Sequence, residues 1–195
     1  MGFEVKDLLE IFSRYPTDKP KYADFYRRHF AGLNPELLLE IGVLKGGSHH
    51  AWKEIFPAAR VVGIDIEQLI KDAFPDLEIY IGDQTDLVFL DTVINEIGYP
   101  DIIIDDGGHS RKQQIVSFIH LYPKMKIGGL YIIEDLETSF LEAYNDSELS
   151  SMDFIRNCVL PTDWDGNVKG RKPGDVFQYI YSQIVFERNV CLIKK

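Results

Sequence analysis

The sequence predicts an α/β protein with a Rossmann-like, doubly wound, mostly parallel sheet and helices on both faces. Three observations predict it. Short, nearly continuous apolar runs recur along the chain as LLLEIG, VVGIDI, LEIYIGD, DIIIDD and LYIIED. Amphipathic segments with apolar residues at helical spacing alternate with them. Every run ends in at least one acid, and in open α/β sheets ligands bind beyond the carboxyl ends of the strands. Runs without polar alternation are buried on both faces, so helices must cover both sides of the sheet.

Each element follows in chain order. Val5, Leu8, Leu9 and Phe12 stand at helical spacing over 4–13, and after the break at Pro16 and Pro20 the segment 22–30 reads as a second helix. These two make a short N-terminal helical cap, residues 1–34, on a core of 35–195, all within a single domain 1–195. LLLEIG is the first strand. It turns through Gly42, Gly46 and Gly47 into a helix that begins near Ser48 and carries Trp52, Ile55 and Phe56. VVGIDI and LEIYIGD are the next strands, followed by a helix over 87–97 and the strand DIIIDD. Ser110 is the expected N-cap of a helix whose Ile115, Phe118, Ile119 and Tyr122 form one buried face. Gly128 and Gly129 turn the chain into LYIIED. The segment 137–153 is acidic and irregular, 152–160 is helix-capable, and 161–175 has loop composition. The runs 176–188 and 189–195 are expected to form a C-terminal antiparallel hairpin that closes the sheet edge.

Composition limits the function. At 195 residues, 45% hydrophobic and 27% charged, the chain can bury one sizeable core. A net charge of -10 without a basic face argues against nucleic acid and anionic membranes as partners. Only Cys158 and Cys191 are present, and no run approaches the ~20 apolar residues of a membrane span. The N-terminal residues lack the apolar core of a signal peptide, so a cytoplasmic protein with free thiols is expected. A homo-oligomer is compatible with this composition.

The acids after the strands are Glu40, Asp65, Asp83, then Asp105 and Asp106 with His109, and finally Glu134 and Asp135. A single one is as readily a helix cap, but five successive strand ends converge on one rim. EIGVLKGG lacks the second glycine of G-x-G-x-x-G, because Leu44 stands there, and no G-K-[ST] follows. With Asp65 one βαβ unit further on, where an acid commonly holds ribose hydroxyls, the pattern suggests an adenosine-containing ligand and disfavours a dinucleotide.

In order, EIGVLKGG, VVGIDI, GDQTD, DIIIDDGGH and GGLYIIEDLETSF resemble a class I S-adenosylmethionine-dependent methyltransferase. More narrowly they resemble the metal-dependent O-methyltransferases of macrolide sugars, the mycinamicin type, which also carry a T-D-K segment like Thr17, Asp18 and Lys19. The likeness runs from about Thr17 to Phe140. It implies that Glu40 and Gly42 lie at the cofactor's methionine end, that Gly46 also binds the cofactor, that Asp65 takes the ribose hydroxyls, and that Asp83 and Gln84 border the adenine. It implies Asp106 and Asp135 as ligands of Mg²⁺ or a similar divalent cation, and His109 as general base. A third ligand stays open between Glu134 and Asp105. Adjacent strand residues point to opposite faces, so only one of Asp105 and Asp106 need touch the ion, leaving Asp105 to support cofactor or backbone.

The chemistry suits these residues. A sugar hydroxyl is a poor nucleophile. A hard cation on carboxylates can hold and acidify it, and a histidine can accept its proton near neutrality. A lone histidine at a helix start usually packs locally, but the offset of three from the acids favours the base. His49 and His50 are expected as capping or surface groups, His29 and His120 as structural, and Trp52 and the Tyr22, Phe25, Tyr26 and Phe30 cluster as packing. The expected function is Mg²⁺-assisted, S-adenosylmethionine-dependent O-methylation of a small hydroxylated acceptor, a sugar unit of a natural product or saccharide. The short cap argues against a bulky macrolide. The alternatives are a nicotinamide-dependent oxidoreductase and a non-catalytic S-adenosylmethionine-binding subunit.

Overall fold

The computed structural model describes residues 7–156 and 181–195. Val5, Cys158, the end of the 152–160 segment, the 161–175 loop and residues 176–180 lie outside the described residues. Seven strands form one sheet: β1 (Leu37–Ile41), β2 (Arg60–Asp65), β3 (Glu78–Ile81), β4 (Ile102–Asp105), β5 (Leu130–Ile133), β6 (Gln183–Glu187) and β7 (Val190–Lys194). Their order is β3-β2-β1-β4-β5-β7-β6, with the first five parallel and β6 and β7 antiparallel. The expected sheet and its terminal hairpin are both present. Strand order reverses between β1 and β4, which opens the ligand crevice at their carboxyl ends.

Register decides what each strand end presents. Leu38 and Glu40 pair with Ile102 and Ile104, whereas Leu39 and Ile41 pair with Ile103 and Asp105. The first set faces α1 (Leu8–Ser13), α2 (Ala23–Phe30) and α3 (Gly47–Ile55) in one core. The second faces α5 (Leu87–Ile97) and α6 (Arg111–Leu121) in the other. Glu40 and Asp105 therefore leave the sheet on opposite sides, as side chains of opposite strand parity must.

Local sequence explains the helices. Asp86 caps α5 by accepting from the Val88 and Phe89 amides, and Ser110 with Gln113 forms a capping box on α6. The buried face of α6 is turned from the expected one: Gln114, Ser117, Phe118 and Leu121 are buried, while Ile115 and Ile119 are only partly covered. A short α4 (Gln68–Ala73) between β2 and β3 was not anticipated, and none of its residues is buried. The acidic stretch after β5 holds two 3-10 turns, Leu136–Phe140 and Glu142–Tyr144. Further on lies the four-residue α7 (Ser151–Phe154).

The hairpin also braces the chain after β5. The Leu136 amide donates to the Asn189 carbonyl in the β6–β7 turn at 2.8 Å. Cys191 on β7 is a fully buried free thiol. Among the described residues, no helix is long and apolar enough to cross a membrane.

Candidate active site

The turn from β1 to α3 is built on glycine for a steric reason. Gly42 has φ +87°, and a Cβ there would lie 2.1 Å from the Asp106 carbonyl oxygen. A Cβ on Gly47 would meet the Pro16 carbonyl at 2.4 Å. At both positions it is the protein's own backbone that takes the space a side chain would fill. Asp65 fixes the same turn: one carboxylate oxygen accepts from the Val43 and Leu44 amides, each at 2.9 Å, and the other from Glu67.

Above the strand ends lies a cavity of about 830 Å³. Of the residues expected at the cofactor, Gly42, Asp65, Asp83 and Gln84 line it, as do Asp106, His109 and Asp135. Glu40, Gly46 and Asp105 do not, and each has another partner. Glu40 is fully buried on the α3 side, where it accepts from Trp52 Nε1 at 2.8 Å and sits 3.0 Å from His49 Nδ1. It ties α3 to β1, and it draws His49 into the core rather than to the surface. Gly46 is the left-handed N-cap of α3, against Phe74 and Leu77. Asp105 accepts from Gln84 Nε2 and Tyr131 Oη, each at 3.1 Å. Burial pushes its carboxyl up to about 7, although both hydrogen bonds favour the ionised form.

Asp106, His109 and Asp135 come together, with one ligand atom from each inside a 4.8 Å cluster. His109 Nε2 lies 3.8 Å from Asp135 Oδ2, while Nδ1 is enclosed with no partner among the described residues. His109 has φ +57° and Asp135 φ +53°. A left-handed non-glycine residue costs roughly 1–2 kcal/mol, so two here amount to strain concentrated at the cluster.

The cap supplies residues whose approach to the acids the sequence did not reveal. Lys19 is fully buried and its ammonium donates to Asp106 Oδ2 and, at 2.9 Å, to Glu134 Oε2. Burial alone would lower its pKa, but the charges of Glu134 and Asp106 outweigh that and keep it protonated. Tyr26 donates to the other Glu134 oxygen, and Lys21 and Tyr22 each donate to Asp135 Oδ1 at 2.8 Å. Tyr22 and Tyr26, expected as packing, do pack, but their hydroxyls reach the acids. The T-D-K segment was the one available signal. Of the two candidates for a third ligand, Asp105 points to the far face and Glu134 shares Lys19 with Asp106.

Hard carboxylate oxygens beside an imidazole suit a divalent cation such as Mg²⁺. Asp106 engages Lys19 through Oδ2, and Asp135 engages Lys21 and Tyr22 through Oδ1, so each carboxylate keeps its second oxygen for such an ion.

The chain is similar to known proteins over its whole length. No family model matches the chain. It is 33% identical over 174 residues to 8-demethyl-8-alpha-L-rhamnosyl tetracenomycin-C 2'-O-methyltransferase of Streptomyces olivaceus, covering 81% of this chain and 46% of that protein. It is also 33% identical to mycinamicin VI 2''-O-methyltransferase of Micromonospora griseorubida, covering 100% of this chain and 54% of that protein. The chain is a homologue of these O-methyltransferases. The crystal structure of the MycE methyltransferase of mycinamycin biosynthesis, with Mg and S-adenosylhomocysteine (SAH), superimposes on this chain with a TM-score of 0.81 at 30% identity. That superposition covers 100% of this chain and 55% of MycE. The O-methyltransferase homologue described here thus spans about half the length of the curated relatives it matches.

Proposed function

We propose that the chain is the catalytic methyltransferase unit of a metal-assisted, S-adenosylmethionine-dependent O-methyltransferase whose acceptor is a hydroxyl of a sugar unit. The convergence of Asp106, His109 and Asp135 at the cavity wall carries this reading. The MycE structures with Mg, SAH and mycinamycin VI support it.

In this reading Gly42, Asp65, Asp83 and Gln84 border the methyl donor, and Asp106 and Asp135 hold the divalent ion. When bound, that ion lowers the pKa of the acceptor hydroxyl as a Lewis acid. His109 accepts the hydroxyl proton at Nε2, the nitrogen turned toward Asp135, whose charge steadies the imidazolium that results. As the proton leaves, the acceptor oxygen bonds to the methyl carbon and the carbon–sulfur bond of the donor breaks, yielding ether and thioether. Holding donor and acceptor together in this cavity supplies the orientation that a bimolecular displacement otherwise lacks.

The test is methyl transfer from labelled S-adenosylmethionine to a panel of rhamnosyl and related glycosides, with and without excess chelator. Transfer that chelation abolishes and Mg²⁺ restores is expected. Undiminished transfer in chelator would overturn the metal role, and no transfer to any glycoside would overturn the acceptor class. The same cluster favours a second reading in which His109 is a metal ligand. His109→Ala would then weaken Mn²⁺ binding, whereas a base would leave that binding intact.

A further inference from the structure

We infer that Thr138 is a positioning residue of this centre, whose single hydroxyl holds the backbones of His109 and Asp135 in fixed relation. The inference rests on the roles proposed above for those two residues. Thr138 Oγ1 lies 2.9 Å from the His109 carbonyl and 2.8 Å from the Asp135 carbonyl. Its side chain is buried, and its own amide donates to Asp135 as well. Both acceptors belong to residues in the left-handed region, one after β4 and one after β5. Among the described residues no other hydrogen bond reaches the His109 carbonyl.

The geometry explains why a threonine should stand there. A hydroxyl carries one proton, so Thr138 serves the two carbonyls by sharing or alternating its donation, and they must stay within one oxygen's reach. Neither left-handed residue is a glycine, so neither backbone favours its conformation intrinsically. Something outside them has to hold it. Across the centre, His109 Nε2 and Asp135 Oδ2 are 3.8 Å apart. The 3-10 turn that carries Thr138 follows Asp135 directly, and the hydroxyl extends its hold across to the β4 loop. Arg111 still binds the Ser139 carbonyl and Gln114 the Glu134 carbonyl, so loss of the hydroxyl loosens the two loops where His109 and Asp135 meet and leaves Gly42 and Asp65 at the glycine turn in place.

The experiment compares the full chain with Thr138→Val, which keeps the shape and removes the donor, and Thr138→Ser, which keeps the donor. Mn²⁺ affinity by calorimetry, SAH affinity and methyl-transfer turnover are read for each. Supporting groups one step back from a metal are worth 10–100-fold, so Thr138→Val is expected to lose about tenfold in Mn²⁺ affinity and turnover. SAH affinity should change by less than about twofold, and Thr138→Ser should stay within about threefold of wild type in all three, since only the donor matters. If Thr138→Val does not fold, Thr138→Ala takes its place. Wild-type behaviour of the donor-free variant, or a serine variant as impaired as the valine one, overturns the inference. A wild-type chain that binds Mn²⁺ but methylates nothing overturns the proposed reaction, and the Mn²⁺ comparison still decides Thr138. A wild-type chain that binds no Mn²⁺ overturns both.

Discussion

Lys19 and Glu134 meet at 2.9 Å with neither side chain exposed to solvent. One belongs to the N-terminal cap and the other to the end of β5, so a charge pair fastens the cap to the acid cluster. Removing one partner of a buried pair leaves the other charge without compensation. Lys19→Met should therefore destabilise the fold by about 3–5 kcal/mol. The double variant Lys19→Met/Glu134→Gln should be distinctly less destabilised than the sum of its parts. Urea denaturation of the four proteins measures both quantities, and strict additivity would show that the pair is energetically idle.

Asp105 gives a pH dependence with a definite sign. Its folded pKa is raised to about 7 by burial. Between the ordinary carboxylate value near ~4 and that figure, the folded state binds more protons than the unfolded chain, so stability falls as pH rises. The contribution is fully present in acid and is lost through this window, at a slope approaching about 1.4 kcal/mol per pH unit. Asp105→Asn cannot ionise and should flatten the slope, seen as the difference between wild-type and variant denaturation free energies from pH 4 to 7. Parallel curves would refute the assignment.

Gly42→Ala should disrupt the centre from the opposite side. The added methyl would meet the Asp106 carbonyl at 2.1 Å in a left-handed backbone. Backbone strain and overpacking together should cost about 2 kcal/mol or more. Because the collision is with Asp106 itself, Mn²⁺ affinity should fall along with melting temperature. Gly32→Ala, also at positive φ but with nothing within 4 Å, is the control: it should lower stability and leave Mn²⁺ binding alone.

In the role of base proposed above, His109→Ala should lower turnover by a factor of roughly 10²–10⁴, the usual worth of a positioned general base. SAH affinity should be nearly unchanged. Isothermal titration beside steady-state kinetics separates the two effects, and retained turnover would assign proton removal to another group.

The sheet was legible because its strands are buried on both faces and its acids mark their ends. The Ser110 cap was legible because capping is a local rule. α4 escaped notice because it buries no residue, so no apolar period marks it. Within the site, Asp106, His109 and Asp135 stand at strand ends where topology brings them together. Lys19, Tyr22 and Tyr26 could not be found the same way, since their partners lie 87 to 115 residues away and depend on how the cap docks. Glu40 is expected at the cofactor from the resemblance, but it binds Trp52 and His49 inside the protein, while Asp105, assigned a supporting role by strand parity, holds the cavity-lining Gln84.

The Leu136–Asn189 hydrogen bond makes the segment bearing Asp135 and Thr138 lean on a solvent-facing turn. Arg188 in that turn is itself exposed and left-handed. Substitutions at residues 188 and 189 that shift this turn therefore reach the proposed site through the Leu136 amide, without altering any side chain that lines the cavity.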